Sequence, residues 1–133
     1  MTIGTLLNIR EGLRALVECD SPTPLKLTGK ERYDIFRAFR KAKKATEDYD
    51  KAREGLITQL GEKKEDGSYT IPNTIPGLGV NPNLLAFMDE DKKLRDIEVD
   101  YTLTPFPVTL FQESPQVSIG LIDALITAGV LTE

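Results

Sequence analysis

Residues 28–61 read TGKERYDIFRAFRKAKKATEDYDKAREGLITQLG, and the way this stretch folds decides the rest of the chain. It opens on Thr28 and Glu31, spaced as a capping box. The Thr28 hydroxyl can accept the backbone N–H three residues on, while the Glu31 carboxylate reaches back to the N–H of Thr28. Beyond the box no proline interrupts before Gly61, and Gly55 is the one internal glycine. Two apolar rows recur every seven residues: Ile35, Ala42, Tyr49 and Leu56, and Ala38, Ala45 and Ala52. Together they form an a/d seam with alanine at successive d positions. Small side chains let a partner helix approach near the short end of the usual interaxial range of about 8–10 Å. Phe36, Phe39, Ile57 and Leu60 widen the stripe at its two ends, as a globular contact requires. The spacing predicts one uninterrupted helix, roughly 50 Å long at ~1.5 Å per residue. Arg53 falls on the stripe and reads as a snorkelling stem paired with an acid.

On the N-terminal side, Ile3, Leu6, Ile9, Leu13 and Leu16 follow helical spacing, with Arg10, Glu11 and Arg14 on the opposite side. This predicts a helix of four to five turns, about half the length of the central one. Pro22 and Pro24 break it. The connection to Thr28 is long enough for the first helix to fold back antiparallel along the early part of the second.

On the C-terminal side, Asp66-Gly67 between a charged arm and Ser-Tyr-Thr-Ile marks a tight hairpin. Residues 72–82 hold three prolines and two glycines and read as a loop. Gly77-Leu78-Gly79 lacks the third glycine and the Lys-Ser/Thr ending of a phosphate loop. Asn81 is an N-cap with Pro82 at the first helical position, and Leu84, Leu85, Phe87 and Met88 supply a short apolar face. Ile97, Val99, Tyr101 and Leu103 alternate with Glu98, Asp100, Thr102 and Thr104, the pattern of a half-buried strand. Pro105 and Pro107 make residues 106–110 an edge strand or an extended arm. A terminal helix begins at Ser114-Pro115 or at Ser118, turns Ile119, Ile122, Leu125 and Ile126 inward, and stops at Gly129.

The expected fold is therefore mainly α, in the α+β sense, with one domain over residues 1–133. It consists of a long antiparallel helical hairpin over about 2–61, a β-hairpin at 62–72 and a Pro/Gly loop at 72–82. A short helix at 82–94, a strand region at 97–111 and a closing C-terminal helix at 115–129 complete it.

The formal charge of −4, from 17 basic and 21 acidic side chains, is unevenly spread. Residues 28–64 hold 11 bases against 7 acids, and residues 65–133 hold 3 against 11, so the two regions can neutralise each other within the fold. No run approaches the ~18 apolar residues of a membrane span. The N-terminal residues carry no long apolar core or cleavage-like site. Cys19 is alone, which precludes an internal disulfide. These features place the protein in the cytoplasm, or in a particle assembled there.

Chemistry is sparse. With no histidine, the Ser-His-Asp and Cys-His arrangements and nearly every zinc pattern are excluded. Cys19 follows an apolar helix and reads as a small buried residue. Asp89, Glu90, Asp91 and Asp96 lie beside Lys92, Lys93 and Arg95, as on a solvated mixed surface. No catalytic residue, metal ligand or cofactor is expected. The marked feature is basic: Arg37, Arg40, Lys41, Lys43 and Lys44 occur with no acid between Ile35 and Thr46. Arg37, Arg40, Lys41 and Lys44 cluster opposite Ile35, Ala38 and Ala42. Such a face is solvated or internally paired, docks a protein, or carries nucleic acid through phosphate contacts.

The helix ending in Leu60-Gly61-Glu62-Lys63-Lys64, followed by Glu65-Asp66-Gly67-Ser68-Tyr69-Thr70-Ile71, resembles a family of small uncharacterised proteins of tailed bacteriophages. In these a Lys-rich helical arm gives way to a Gly-turn hairpin, with an alternating strand and a Ser-Pro-initiated helix later on. The resemblance covers residues 25–71 and 95–127; residues 72–82 depart from it. It implies phage origin and no functional residue.

The expected function is non-catalytic protein–protein interaction. The protein would be a minor particle or assembly component, or an inhibitor of a host defence protein. Tyr49, Ala52, Leu56 and Leu60 are the expected docking residues, because the first helix is too short to cover them; the partner is a second copy or a host or phage protein. The alternative is nucleic-acid binding through Arg37, Arg40, Lys41 and Lys44.

Overall fold

In the computed structural model, which describes residues 1–133, the first three helices are α1 (Ile3–Cys19), α2 (Gly29–Ala45) and α3 (Glu47–Leu60). Short strands β1 (Glu62–Lys63), β2 (Tyr69–Thr70), β3 (Thr74–Ile75) and β4 (Gly79–Val80) come next. Helix α4 (Pro82–Arg95), strand β5 (Phe106–Pro107), a 3-10 turn (Val108–Phe111), helix α5 (Ile119–Thr127) and strand β6 (Leu131–Thr132) complete the chain. The fold is mainly α with small β elements. Its contacts fall into two compact units, one of Met1–Thr46 with Glu98–Glu133 and the other of Glu47–Ile97.

The first unit is built on an antiparallel pair of helices. The Thr2 hydroxyl caps α1 by accepting from Thr5 N–H, and the expected capping box at Thr28 and Glu31 starts α2 with both of its hydrogen bonds made. Asp20 pairs with Arg32 at 3.0 Å, Arg14 and Lys43 both lie over the Phe39 ring, and Arg10 donates to the Thr46 hydroxyl at 3.0 Å. Low numbers on α1 thus meet high numbers on α2, which sets the antiparallel direction. Leu6, Ile9, Leu13 and Leu16 of α1 are buried against Ile35, Ala38 and Ala42 of α2, with Phe111, Val117, Leu125, Val130 and Leu131 completing the core. Of the seam alanines, Ala38 and Ala42 are buried in this contact and Ala45 is half-buried.

The single helix expected over residues 28–61 is interrupted at Thr46, which leaves the helical basin at φ −106°, ψ 2°. Its hydroxyl binds back to Ala42 O at 2.9 Å and Lys43 O at 3.1 Å while accepting from Arg10. Back-bonding by a β-branched hydroxyl loosens a helix, and the Arg10 guanidinium holds this one in place. The roughly 50 Å rod is replaced by helices of 17 and 14 residues, about 26 and 21 Å long.

The strand expected over residues 97–103 is also corrected. Val99, Tyr101 and Leu103 turn inward and Glu98, Asp100, Thr102 and Thr104 outward, as the alternation requires, but Ile97, expected on the inner face, is 50 % exposed, and no ladder forms. The one bridge is Thr2 with Glu98, and Val99 N–H donates to Met1 O at 2.8 Å. Alternation reports a buried face; it does not supply a neighbouring strand. Phe106 and Pro107 do pair, in parallel, with Leu131 and Thr132 at the C-terminus.

Helix α5 starts at Ser118, whose hydroxyl accepts from Leu121 N–H. Ser114, the other candidate start, is instead buried and accepts the Lys26 N–H at 3.0 Å, tying the α1–α2 loop to the core. At the C-terminal end Gly129 takes φ +82°; its N–H donates to Ile126 O, and Val130 N–H donates to Leu125 O. This is a Schellman motif, with Val130 and Leu125 making its hydrophobic contact. Leu125 is buried and Ile122 and Ile126 are half-buried, but Ile119, expected inward, is 80 % exposed because it stands at the first helical position. Gly12 of α1 lies where this end of α5 packs: a Cβ there would stand 2.9 Å from Leu125 Cδ2 and 3.2 Å from Val130 Cγ2.

In the second unit α3 and α4 run antiparallel. The Tyr49 hydroxyl donates to Asp91 at 2.6 Å, Arg53 lies over the Phe87 ring, and the Asn83 amide donates to Leu60 O at 3.1 Å. Between them the expected hairpin pairs Glu62 with Thr70 and Lys63 with Tyr69 around Gly67 at φ +88°. The Asp66 carboxylate accepts both the N–H and the hydroxyl of Ser68 across the turn. The Pro/Gly loop folds into a second small hairpin, Thr74 with Val80 and Ile75 with Gly79, in which Gly77 and Gly79 take positive φ. Asn81 caps α4 as expected and closes that loop by donating its amide to Pro72 O at 2.8 Å.

Candidate binding surfaces

Several residues singled out by their chemistry are structurally occupied. The Cys19 thiol is half-buried, 3.9 Å from Gln116 O; burial and then the Glu18 charge push its pKa up, which disfavours the nucleophilic thiolate. Asp89 and Glu90 pair with Lys93, Asp91 with Arg95, and Asp96 with Lys92, so the run forms a laced helix surface. No group of three or more acidic or Cys side chains is placed to hold a metal ion. No helix is long and apolar enough to cross a membrane.

The expected docking residues of the seam lie in the second unit and do not share one environment. Tyr49 is buried, with its ring under Arg95 and its hydroxyl on Asp91. Burial, and after it the Asp91 carboxylate, raises the pKa of the phenol. Asp91 is held below the usual carboxylate range: burial pushes it up, but the Tyr49 hydroxyl and the Arg95 guanidinium together bring it down further. Ala52 is exposed, while Leu56 and Leu60 are half-buried. Arg53 is exposed, with its charge over Phe87; it makes no direct ion pair, but its charge helps to lower the pKa of Asp91.

The exposed apolar surface of this unit lies elsewhere. On α4 the half-buried side chains are Leu84, Phe87, Asp91 and Leu94. Leu85 and Met88, one turn apart on the adjoining strip, are each 57 % exposed. Leu78 and Val80 at the β3–β4 hairpin are also exposed. Within Glu47–Ile97 the buried side chains are Tyr49 and Asn81 alone. The single apolar face expected from Leu84, Leu85, Phe87 and Met88 is therefore split in two. Helical spacing carries that finer signal: 84, 87, 91 and 94 form one row, and 85 and 88 fall outside it.

The basic residues do come together. Arg37, Arg40, Lys41 and Lys44 are all exposed on α2, and none makes an ion pair, hydrogen bond or ring contact. This sets them apart from Lys30, Arg32, Lys92, Lys93 and Arg95, each of which holds a carboxylate. Arg37 and Lys41, one turn apart, line a groove of about 410 Å³ with Asp34, Ala38 and residues 101–106. The Tyr101 hydroxyl crosses it to donate to Ala38 O at 3.3 Å, and burial raises its pKa. Asp34 is held by Lys30 at 2.8 Å.

No protein family, curated protein or solved structure matches the chain.

Proposed function

We propose that this is a non-catalytic binding protein that engages another folded protein through the apolar side chains of α4, Leu85 and Met88. The observation that carries this reading is the lack of a core in the second unit, where Tyr49 is the one buried apolar or aromatic side chain over Glu47–Ile97. Helices shorter than about 12–15 residues are marginal alone even in favourable sequences, and α3 and α4 have 14 residues each. A small unit without a core needs additional cover, and the exposed strip beside the α3 contact is where a partner adds most. The tailed-phage resemblance gives the biological setting: a minor particle or assembly component, or an inhibitor seated on a host defence protein, in the host cytoplasm.

The test is a double substitution, Leu85→Glu with Met88→Glu. Both positions are exposed, so monomer stability should change by no more than about 0.5 kcal/mol. Self-association measured by light scattering, or co-purification from infected cells, should be lost. Unchanged association would remove α4 as the docking element. A strict monomer that retains no partner in the unsubstituted form would remove the reading itself.

Nucleic-acid binding along α2 is a second reading, supported by the four unpaired cations at Arg37, Arg40, Lys41 and Lys44. It requires salt-dependent retention of DNA or RNA that weakens when these become Glu. No retention at low salt would dispose of it.

A further inference from the structure

The groove between α2 and residues 101–106 combines two features that belong to different parts of a ligand. One wall carries Arg37 and Lys41, both charged, exposed and without a partner. The other wall is an extended segment whose backbone is unused. Residues 100–104 make no backbone hydrogen bond to the rest of the chain, lying between Val99, which pairs with Met1, and Phe106, which pairs with Val130. Tyr101 and Leu103 anchor the segment on the core, while Thr102 and Thr104 face solvent. An anchored, extended, unpaired backbone is a strand edge ready to accept another strand.

From this juxtaposition we infer that the groove binds an acidic peptide segment of another protein, in extended conformation, which adds as a strand to residues 100–104. The spacing of the two walls agrees. Arg37 and Lys41 are four residues apart, about 6 Å along the helix. Side chains on one face of a strand repeat every two residues, about 6.7 Å. A peptide with carboxylates at alternate positions can therefore place one on each cation while its backbone forms the ladder. Five residues at 100–104 span about 16 Å, enough for a short strand. Asp34, on the same wall, pairs with Lys30 at 2.8 Å and with neither Arg37 nor Lys41.

A single strand of nucleic acid fits less well. Its binding sites combine cations with exposed aromatic faces for the bases. Here Tyr101 and Phe106, the aromatic residues of the groove, are half-buried. Phosphates also leave the N–H and C=O groups of residues 100–104 without the alternating partners that a peptide supplies. This site is on the first unit and is independent of the α4 surface.

The test uses a fluorescent capped peptide, Thr-Glu-Val-Glu-Val-Glu-Thr, with three controls. The first has the same composition with adjacent glutamates, the second is N-methylated at alternate amides, and the third is an oligouridylate of similar length. The alternating peptide should bind and slow amide exchange of residues 100–104 by at least about tenfold. Moving or methylating its groups should weaken binding. Arg37→Glu with Lys41→Glu should reduce affinity by at least about tenfold, whereas Arg40→Glu with Lys44→Glu, outside the groove, should change it by less than about threefold. All four positions are exposed, and far-UV circular dichroism is the check that each variant remains folded. Equal loss from both pairs, no protection at 100–104, or tighter binding of the oligouridylate would each overturn the inference. Leu85→Glu with Met88→Glu should leave peptide binding unchanged, so this site and the α4 surface fail or stand separately.

Discussion

Two glycines in helices separate packing from backbone propensity. Gly12 of α1 faces Leu125 and Val130 with no room for a branched side chain, whereas nothing lies within 4 Å of a Cβ added at Gly55 of α3. Gly12→Val should therefore lower stability by about 1–3 kcal/mol through overpacking. Gly55→Ala should raise it by about 0.5–1 kcal/mol, since only helix propensity changes. Denaturant unfolding of both variants measures the contrast. A third residue couples stability to pH. The Asp20 carboxylate accepts from Arg32 and from Leu25 N–H, and the Arg32 hydrogen bond holds its pKa below the usual aspartate range. With the folded value depressed, its contribution is present above the unfolded value, about 3.9, and is lost as pH falls from there through the folded value. Asp20→Asn should lower stability at neutral pH and flatten the acid limb of a stability-versus-pH curve. An acid limb unchanged by the substitution would show that this pair does not contribute.

At the scale of elements, the signals legible in the sequence are those written in a few consecutive residues. The Thr28–Glu31 box, the Asp66-Gly67 turn, the Asn81-Pro82 start and the Gly129 stop are local chemistry, and each occurs where its residues stand. The failures are partly non-local. The break at Thr46 has a local mark, with Lys43 and Lys44 in the last turn of α2 and Glu47, Asp48 and Asp50 in the first turn of α3, but the contact that holds its hydroxyl comes from Arg10, 36 positions earlier. Likewise the alternation reveals which face is buried from Val99 to Leu103, but not that Ile97 stays exposed or that a ladder is missing. For the binding surfaces, helical spacing is enough to place the basic face. It does not reveal the groove beside that face, because residues 101–106 come from a distant part of the chain. The Thr46 contact has a measurable consequence. Thr46→Ala favours helix at that position, yet it takes an acceptor from a largely buried Arg10 and should cost about 1–3 kcal/mol. Thr46→Ser, which keeps the oxygen, should cost less. Chemical denaturation ranks the two, and equal losses would mean that the methyl group, not the hydroxyl, matters.

Across the whole molecule, burial is divided unequally between the two units. Leu6, Leu13, Leu16, Leu125 and Val130 are all at most 1 % exposed and all belong to the first, whereas the second buries Tyr49 and Asn81. Local opening free energies scale with buried apolar contact, and loosely packed segments open without global unfolding. Amides in α1 and α2 that lie over the first core should therefore exchange slowest, near the rate set by global unfolding. Those of α3 and α4 should exchange at least about a hundredfold faster, corresponding to an opening free energy lower by roughly 2.7 kcal/mol or more. Native-state hydrogen exchange monitored by NMR tests this residue by residue. Uniform protection across both units would mean that the second is held by something other than its own side chains, and a partner on α4 would lose its physical ground. Low protection that rises in α4 when a binding protein is added would locate the missing cover on Leu85 and Met88. In that event the shortage of core in this unit and its capacity to bind share one cause: apolar surface that the chain leaves for another molecule to bury.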